Sequence, residues 1–163
     1  MPTARRDGIA LAYDIQGEGP DLLLIAGTAA DRTMWTQIRP QLSEHFRTIA
    51  FDNRDSGEST ICSDGYVMLD LAKDAVSVLD AAGAERAHVM GHSLGGMISQ
   101  ELALHAPERV ASLTLANTSS RLDIYGNAVV SMALEWSRVI EDQALLLKSL
   151  YFLALGTDTL RRT

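Results

Sequence analysis

Ala87-His88-Val89-Met90 runs directly into Gly91-His92-Ser93-Leu94-Gly95-Gly96. The first four residues are a short, mostly apolar run of the kind buried in a parallel sheet. Ser93 to His105 reads as a helix stopped by Pro107. Between strand and helix stands the pattern Gly-x-Ser-x-Gly. A serine there sits on a sharp strand-to-helix turn, strained in its backbone, with Oγ projecting above the sheet. Gly91 and Gly95 lack a Cβ, so strand and helix can close around it, and His92 completes the turn. The helix that starts there points its N-terminus and free N–H groups at the reacting centre, where they favour a developing oxyanion. Leu94, directly after the serine, offers one such N–H. Ser93 is therefore the candidate nucleophile. The five-residue pattern is cheap alone; the flanking strand and helix make it specific.

Outward from this point, short apolar runs alternate with helical patterns. Ile9–Ile15, Leu22–Ala26, Arg47–Phe51 and Val110–Ala116 read as further strands. Met34–Phe46 reads as a helix with Thr33 as N-cap and a kink or restart at Pro40. Val67–Ala82 carries Leu71, Ala75, Val78, Leu79 and Ala82 at helical spacing, with Gly83 as its stop. Such alternation predicts an α/β protein: a mostly parallel sheet with helices on both faces, its active edge at the strand C-termini. After Asn117 the pattern changes to two helices, Ala128–Glu141 and Gln143–Leu155, with no strand following. The expected organisation is a core over 1–122 and a partial helical cap over 123–163.

The chain has 163 residues, 47% hydrophobic and 21% charged. That suits one globular domain and excludes wholesale disorder, collagen-like repeats and a disulfide scaffold. Fourteen Lys and Arg stand against 21 Asp and Glu, a net charge of −7, so no nucleic-acid partner is expected. Cys62, the one cysteine, cannot form an internal disulfide, which allows a reducing compartment. Residues 1–8 show no leader pattern. The longest apolar run, Leu145–Leu155, is broken by Lys148 and falls short of the roughly 20 residues a bilayer span needs. A soluble, cytoplasmic protein without membrane contact is the expectation. Gly91 and Gly96 have P-loop spacing, but Met97 and Ile98 replace its Lys and Ser/Thr. His88 and His92 lie at a strand end with no Glu between them, which is not a zinc motif. Neither metal nor cofactor is expected.

Four blocks, in order, resemble the N-terminal part of an α/β-hydrolase-fold protein. They are Leu22–Gly27 with Thr28 and Trp35, Phe51–Ser59, Gly91–Gly96, and Ala103–Leu115 with Pro107-Glu108-Arg109-Val110. Together they cover about residues 9 to 120. Small-ester and lactone hydrolases, methylesterases and cofactor-free haloperoxidase-like enzymes are the most similar members. The resemblance implies Ser93 as nucleophile and the N–H groups of Leu94 and Thr28 as the oxyanion hole. Trp35 either lines the acyl pocket or is a plain core aromatic. Ala26-Gly27 stands where many relatives have His-Gly. Asp52, Arg54 and Asp55 read as fixing their turn by side-chain hydrogen bonds rather than doing chemistry.

A hydrolytic triad on this fold runs Ser, then Asp or Glu, then His. After Ser93 comes one histidine, His105, about 18 Å further along the same predicted helix at 1.5 Å rise per residue. The resemblance thus implies a nucleophile and oxyanion half, part of a lid, and neither triad partner: an incomplete or truncated serine hydrolase of small carboxylic esters or lactones. A non-catalytic ligand-binding or assembly protein is the alternative, as is a base supplied by a neighbouring subunit. Val110–Ala116 should form an exposed apolar edge. With the apolar residues of the lid-like helices, it predicts a homo-oligomer or a complementing chain.

Overall fold

Leu22, Leu23, Leu24 and Ile25 have no polar side to turn to water, so a strand made of them must be covered on both faces. The computed structural model, which describes residues 1–121, 124–142 and 145, shows this arrangement. The strands are β1 (Thr3–Arg6), β2 (Ile9–Gln16), β3 (Asp21–Ile25), β4 (Arg47–Phe51), β5 (Ala87–His92) and β6 (Val110–Ala116). They form one sheet in the order β1-β2-β4-β3-β5-β6. β4, β3, β5 and β6 are mutually parallel, and β2 joins β4 antiparallel. Helices α1 (Arg39–Leu42), α2 (Met68–Ala81), α3 (Leu94–His105) and α4 (Ile124–Val139) connect or follow them.

The two-residue period of each strand divides the core. Leu23, Ile25, Ile49, Phe51 and Val89 pack with Leu71, Ala75, Val78 and Leu79 of α2 and Ile98 and Leu102 of α3. Leu22, Leu24, Ala50 and Met90 point to the other face, against Trp35, Leu42 and Phe46. The α/β class and the mostly parallel sheet are as expected.

Two elements depart from the sequence reading. β1 was not expected; it pairs antiparallel with β2 through Asp7 and Gly8. Both residues have positive φ, 49° and 83°, as a two-residue hairpin turn requires. The helix expected over Met34–Phe46 is two short pieces. A 3-10 turn spans Arg32–Trp35, and α1 holds only Arg39–Leu42 with Pro40 in its first turn. Proline has no N–H to donate and its ring blocks a preceding helical turn. The first cap is Asp31, not Thr33: the Asp31 carboxylate accepts the Thr33 N–H at 2.8 Å. The Thr33 hydroxyl, then this N–H, hold the Asp31 carboxyl below its usual range. The helix expected over residues 143–155 lies outside the described residues apart from Leu145.

The chain divides into two units, Met1–Ser120 and Arg121–Thr163. In the first, β6 is one of the two edge strands among the described residues, with Leu113 and Leu115 exposed. In the second, α4 exposes Ile124, Val130 and Val139. No helix among the described residues is long and apolar enough to cross a membrane.

One buried ion pair ties the loop after β4 to α2. Arg54 donates from Nε to Asp74 Oδ2 at 2.7 Å and from Nη2 to Oδ1 at 2.8 Å. Arg6 of β1 donates to the same Oδ1 at 2.7 Å. The bidentate hydrogen bonds to Asp74 keep the Arg54 guanidinium firmly protonated. Removing one partner of such a pair leaves a charge with no water to solvate it. Asp74→Ala is therefore expected to cost about 3–5 kcal/mol in urea unfolding. Lys73→Ala, one residue away on the helix surface, should stay within about 0.5 kcal/mol.

Candidate active site

Ser93 stands at the end of β5 with φ 52° and ψ −118°, immediately before α3. A non-glycine residue there is strained and persists only where its surroundings hold it. The hold comes from close packing. A Cβ on Gly95 would overlap the Ile25 carbonyl at the end of β3, and one on Gly91 would overlap the Gly95 carbonyl and Ser99 Oγ. The first turn of α3 thus lies directly against the ends of β3 and β5. The Ser93 N–H donates to Ala116 O at 3.0 Å, and the Ser93 carbonyl accepts Gly96 N–H at 2.9 Å.

The same packing brings Thr28 near. β3 and β5 pair in register, Ile25 opposite Gly91, so the loop leaving β3 passes the serine. A Cβ at Gly27 would lie 3.2 Å from the Ser93 Cβ and 3.1 Å from His92 Nδ1. Among the described residues neither the Thr28 N–H nor the Leu94 N–H donates a hydrogen bond. Two free backbone donors therefore flank Ser93.

Sequence reasoning did not reveal how that loop is held. Asn53 Nδ2 donates to Ala26 O at 3.1 Å, and Ser56 Oγ donates to Ala30 O at 2.8 Å. Buried Asp52 accepts the Arg32 N–H at 2.8 Å, the Glu58 N–H at 2.8 Å, and the Arg32 guanidinium. Burial opposes the charge on Arg32, but Glu58, Asp52 and Asp14 outweigh it and hold the guanidinium protonated. Gly57, at φ 51°, leaves the room that the Asp52 carboxylate fills. The polar run 52–58 thus clamps residues 26–32 on both sides of Thr28. Asp55 does fix its own loop, accepting Cys62 N–H at 2.6 Å and Tyr66 O–H at 2.7 Å. Arg54 instead reaches α2. The polar run was the readable signal; its partners, some 26 residues earlier, were not.

Trp35 lies buried in the apolar cluster with Leu22, Leu24 and Ala50, its indole N–H without a partner among the described residues. That placement favours the core-aromatic reading over a pocket wall. No histidine hydrogen-bonds Ser93 among the described residues. His88 Nδ1 shares a hydrogen bond with Ser112 Oγ at 2.8 Å and its ring sits edge-on to Phe46. His105 ends α3 and His45 follows α1. His92 adjoins Ser93, but its Nδ1 is buried against Gly27 with no partner.

The family model for the alpha/beta hydrolase fold matches residues 20–151. The chain belongs to the α/β-hydrolase fold family. Among its relatives in that family, the protein named "Putative carbamate hydrolase RutD" of Azorhizobium caulinodans is 41% identical over 123 residues. That alignment covers 76% of this chain and 46% of the relative. "Putative non-heme bromoperoxidase BpoC" of Mycobacterium tuberculosis is 36% identical over 117 residues, 71% of this chain and 44% of the relative. The enol-lactonase of Burkholderia xenovorans superposes with a TM-score of 0.83 at 28% identity, over 99% of this chain and 62% of that one. A hydrolase of Pseudomonas aeruginosa superposes at 0.80 with 34% identity, over 98% and 60%. This α/β-hydrolase chain spans about half the length of the curated relatives it matches.

The loop supporting the site carries a measurable titration. Burial first, then the hydrogen bond to Asp55, push the Tyr66 phenol up to about 12. An unfolded tyrosine ionises near pH 10. The folded chain therefore keeps this contact in full below about pH 10 and loses it as pH rises towards about 12. The chain has four tyrosines. Tyr66→Phe should abolish the highest-pH step of the tyrosinate absorbance titration; a curve still rising to the same pH would place that step on another tyrosine.

Proposed function

We propose that Ser93 is the nucleophile of a serine hydrolase acting on small carboxylic esters or lactones through an acyl-serine intermediate. The observation that carries this reading is the strained serine at φ 52°, flanked by the free N–H groups of Leu94 and Thr28. Ser93 Oγ attacks the substrate carbonyl carbon as the carbonyl π pair moves onto oxygen. The Leu94 and Thr28 N–H groups receive that oxyanion. Collapse expels the alkoxide, or opens the lactone ring, and leaves the acyl on Ser93; the proton Ser93 loses passes through solvent water to the leaving oxygen, and a second water then releases the acid and restores the Ser93 hydroxyl. Lactone and carbamate appear in the names of an enol-lactonase structure and of curated relatives, and both substrate types present an acyl carbon of this kind. Ser93 needs a base to take its proton, and among the described residues none is in place. Without one, Ser93 attacks far more slowly than a serine in a complete triad.

The test is labelling by a fluorophosphonate probe together with p-nitrophenyl acetate turnover. The parent chain should label and turn over slowly, and Ser93→Ala should do neither. Turnover unchanged in Ser93→Ala removes Ser93 from the mechanism. That no described residue stands as a base beside Ser93 also supports a second reading, a non-catalytic ligand-binding or assembly protein; tight binding of an ester or lactone with no turnover at any pH favours it. The exposed apolar residues of β6 support self-association or a complementing chain. A monodisperse monomer in sedimentation at micromolar concentration counts against self-association.

A further inference from the structure

We propose that Thr118 is a positioning residue that sets the direction of both the nucleophile and the Leu94 oxyanion donor. This rests on the reading of Ser93 as the nucleophile. β5 and β6 run parallel in register, His92 opposite Ala116. The Ser93 N–H donates to Ala116 O at 3.0 Å, which carries the ladder one step past β5. Asn117 then takes φ 49°, in the left-handed region that asparagine tolerates better than most residues. That turn brings Thr118 back towards Ser93, and its Oγ1 donates to the Ser93 carbonyl at 2.7 Å. The Thr118 side chain also packs against Gly96, where a Cβ would overlap it.

Ser93 is therefore gripped at its N–H and at its C=O by residues at one strand end. The grip on the carbonyl has a further effect. A peptide unit is planar and, here, trans. The Ser93 C=O and the Leu94 N–H are opposite ends of one rigid plane. Holding the oxygen from the β6 side aims the Leu94 N–H the other way, away from β6. The aim of the Leu94 N–H thus answers to the Thr118 hydroxyl together with the Gly96 N–H that the same carbonyl accepts. Threonine supplies both parts of the contact: a donor for the carbonyl and a methyl for Gly96.

The experiment compares Thr118→Val, which removes the donor and keeps the methyl shape, with Thr118→Ser, which keeps the donor. On the full 163-residue chain, the second-order rate of fluorophosphonate labelling at Ser93 is measured. The ¹³Cα shift of Ser93 and the ¹⁵N shift of Leu94 are measured alongside. Deleting an oxyanion donor outright costs about 10²–10³ in rate. A mis-aimed donor should cost about 10-fold or more in T118V, with T118S returning to within about threefold. The Ser93 and Leu94 shifts should move in T118V and hold in T118S. Labelling at the parent rate with unmoved shifts in T118V overturns the proposal. If the parent does not label, Ser93 is not the nucleophile. The shifts then decide Thr118 alone: movement confined to T118V keeps its positioning role, and no movement ends it. If T118V does not fold, T118A replaces it under the same criteria.

Discussion

The site depends on how closely α3 approaches the ends of β3 and β5. Gly95 lies so near the Ile25 carbonyl that no side chain fits between them, and only at that separation does the chain turn from β5 into α3 across a single residue. That residue is Ser93, left with φ 52°. The strain is not relieved locally, since a serine gains nothing from the left-handed region. It is balanced by the cores on either side of the sheet, which hold β3, β5 and α3 in place. A rigid scaffold of apolar strands is thus the condition for an unfavourable backbone at Ser93.

The second half of the site is a loop rather than a strand end, and needs a different support. Residues 26–32 make no ladder of their own. Their carbonyls and N–H groups are met by Asn53, Ser56 and Asp52 from the turn after β4. Buried Asp52 tolerates its charge because two backbone N–H groups and a guanidinium converge on it. The turn in turn hangs on Arg54–Asp74 and on the Arg54 guanidinium stacked 4.8 Å from the Tyr66 ring centre. Among the described residues the Thr28 N–H has no partner, while the carbonyls of Ala26 and Ala30 on either side of it are held.

The sheet and the elbow were legible in the sequence because both are written in contiguous residues. β4 and β6 match the expected spans, since an apolar run between turn signals has one physical solution in a buried sheet. The turn from β5 into α3 at Ser93 was legible for the same reason. Asp7-Gly8 carried a hairpin signal, yet β1 has only four residues and no apolar run to announce it. Met34–Phe46 misled because its apolar residues suit a helix while Pro40 forbids a continuous one. Asn53, Ser56 and Thr118 stayed unread because their partners lie 27, 26 and 25 residues away. Small polar residues give no pattern that says which distant carbonyl they will meet.

Ser93 and the N–H groups of Leu94 and Thr28 are held by partners within residues 25–118, whereas no base for Ser93 is in place among the described residues. These are separate physical tasks. Aiming a hydroxyl and two N–H dipoles is done by packing and by backbone hydrogen bonds, and each of those partners lies in the unit Met1–Ser120. Moving the Ser93 proton needs a group of suitable pKa within hydrogen-bond reach. The histidine nearest in sequence, His92, shares the turn, but its buried Nδ1 lies against Gly27. The preorganised dipoles therefore exist independently of the base. A base placed beside Ser93 would meet a serine and two N–H groups whose orientation costs no further ordering.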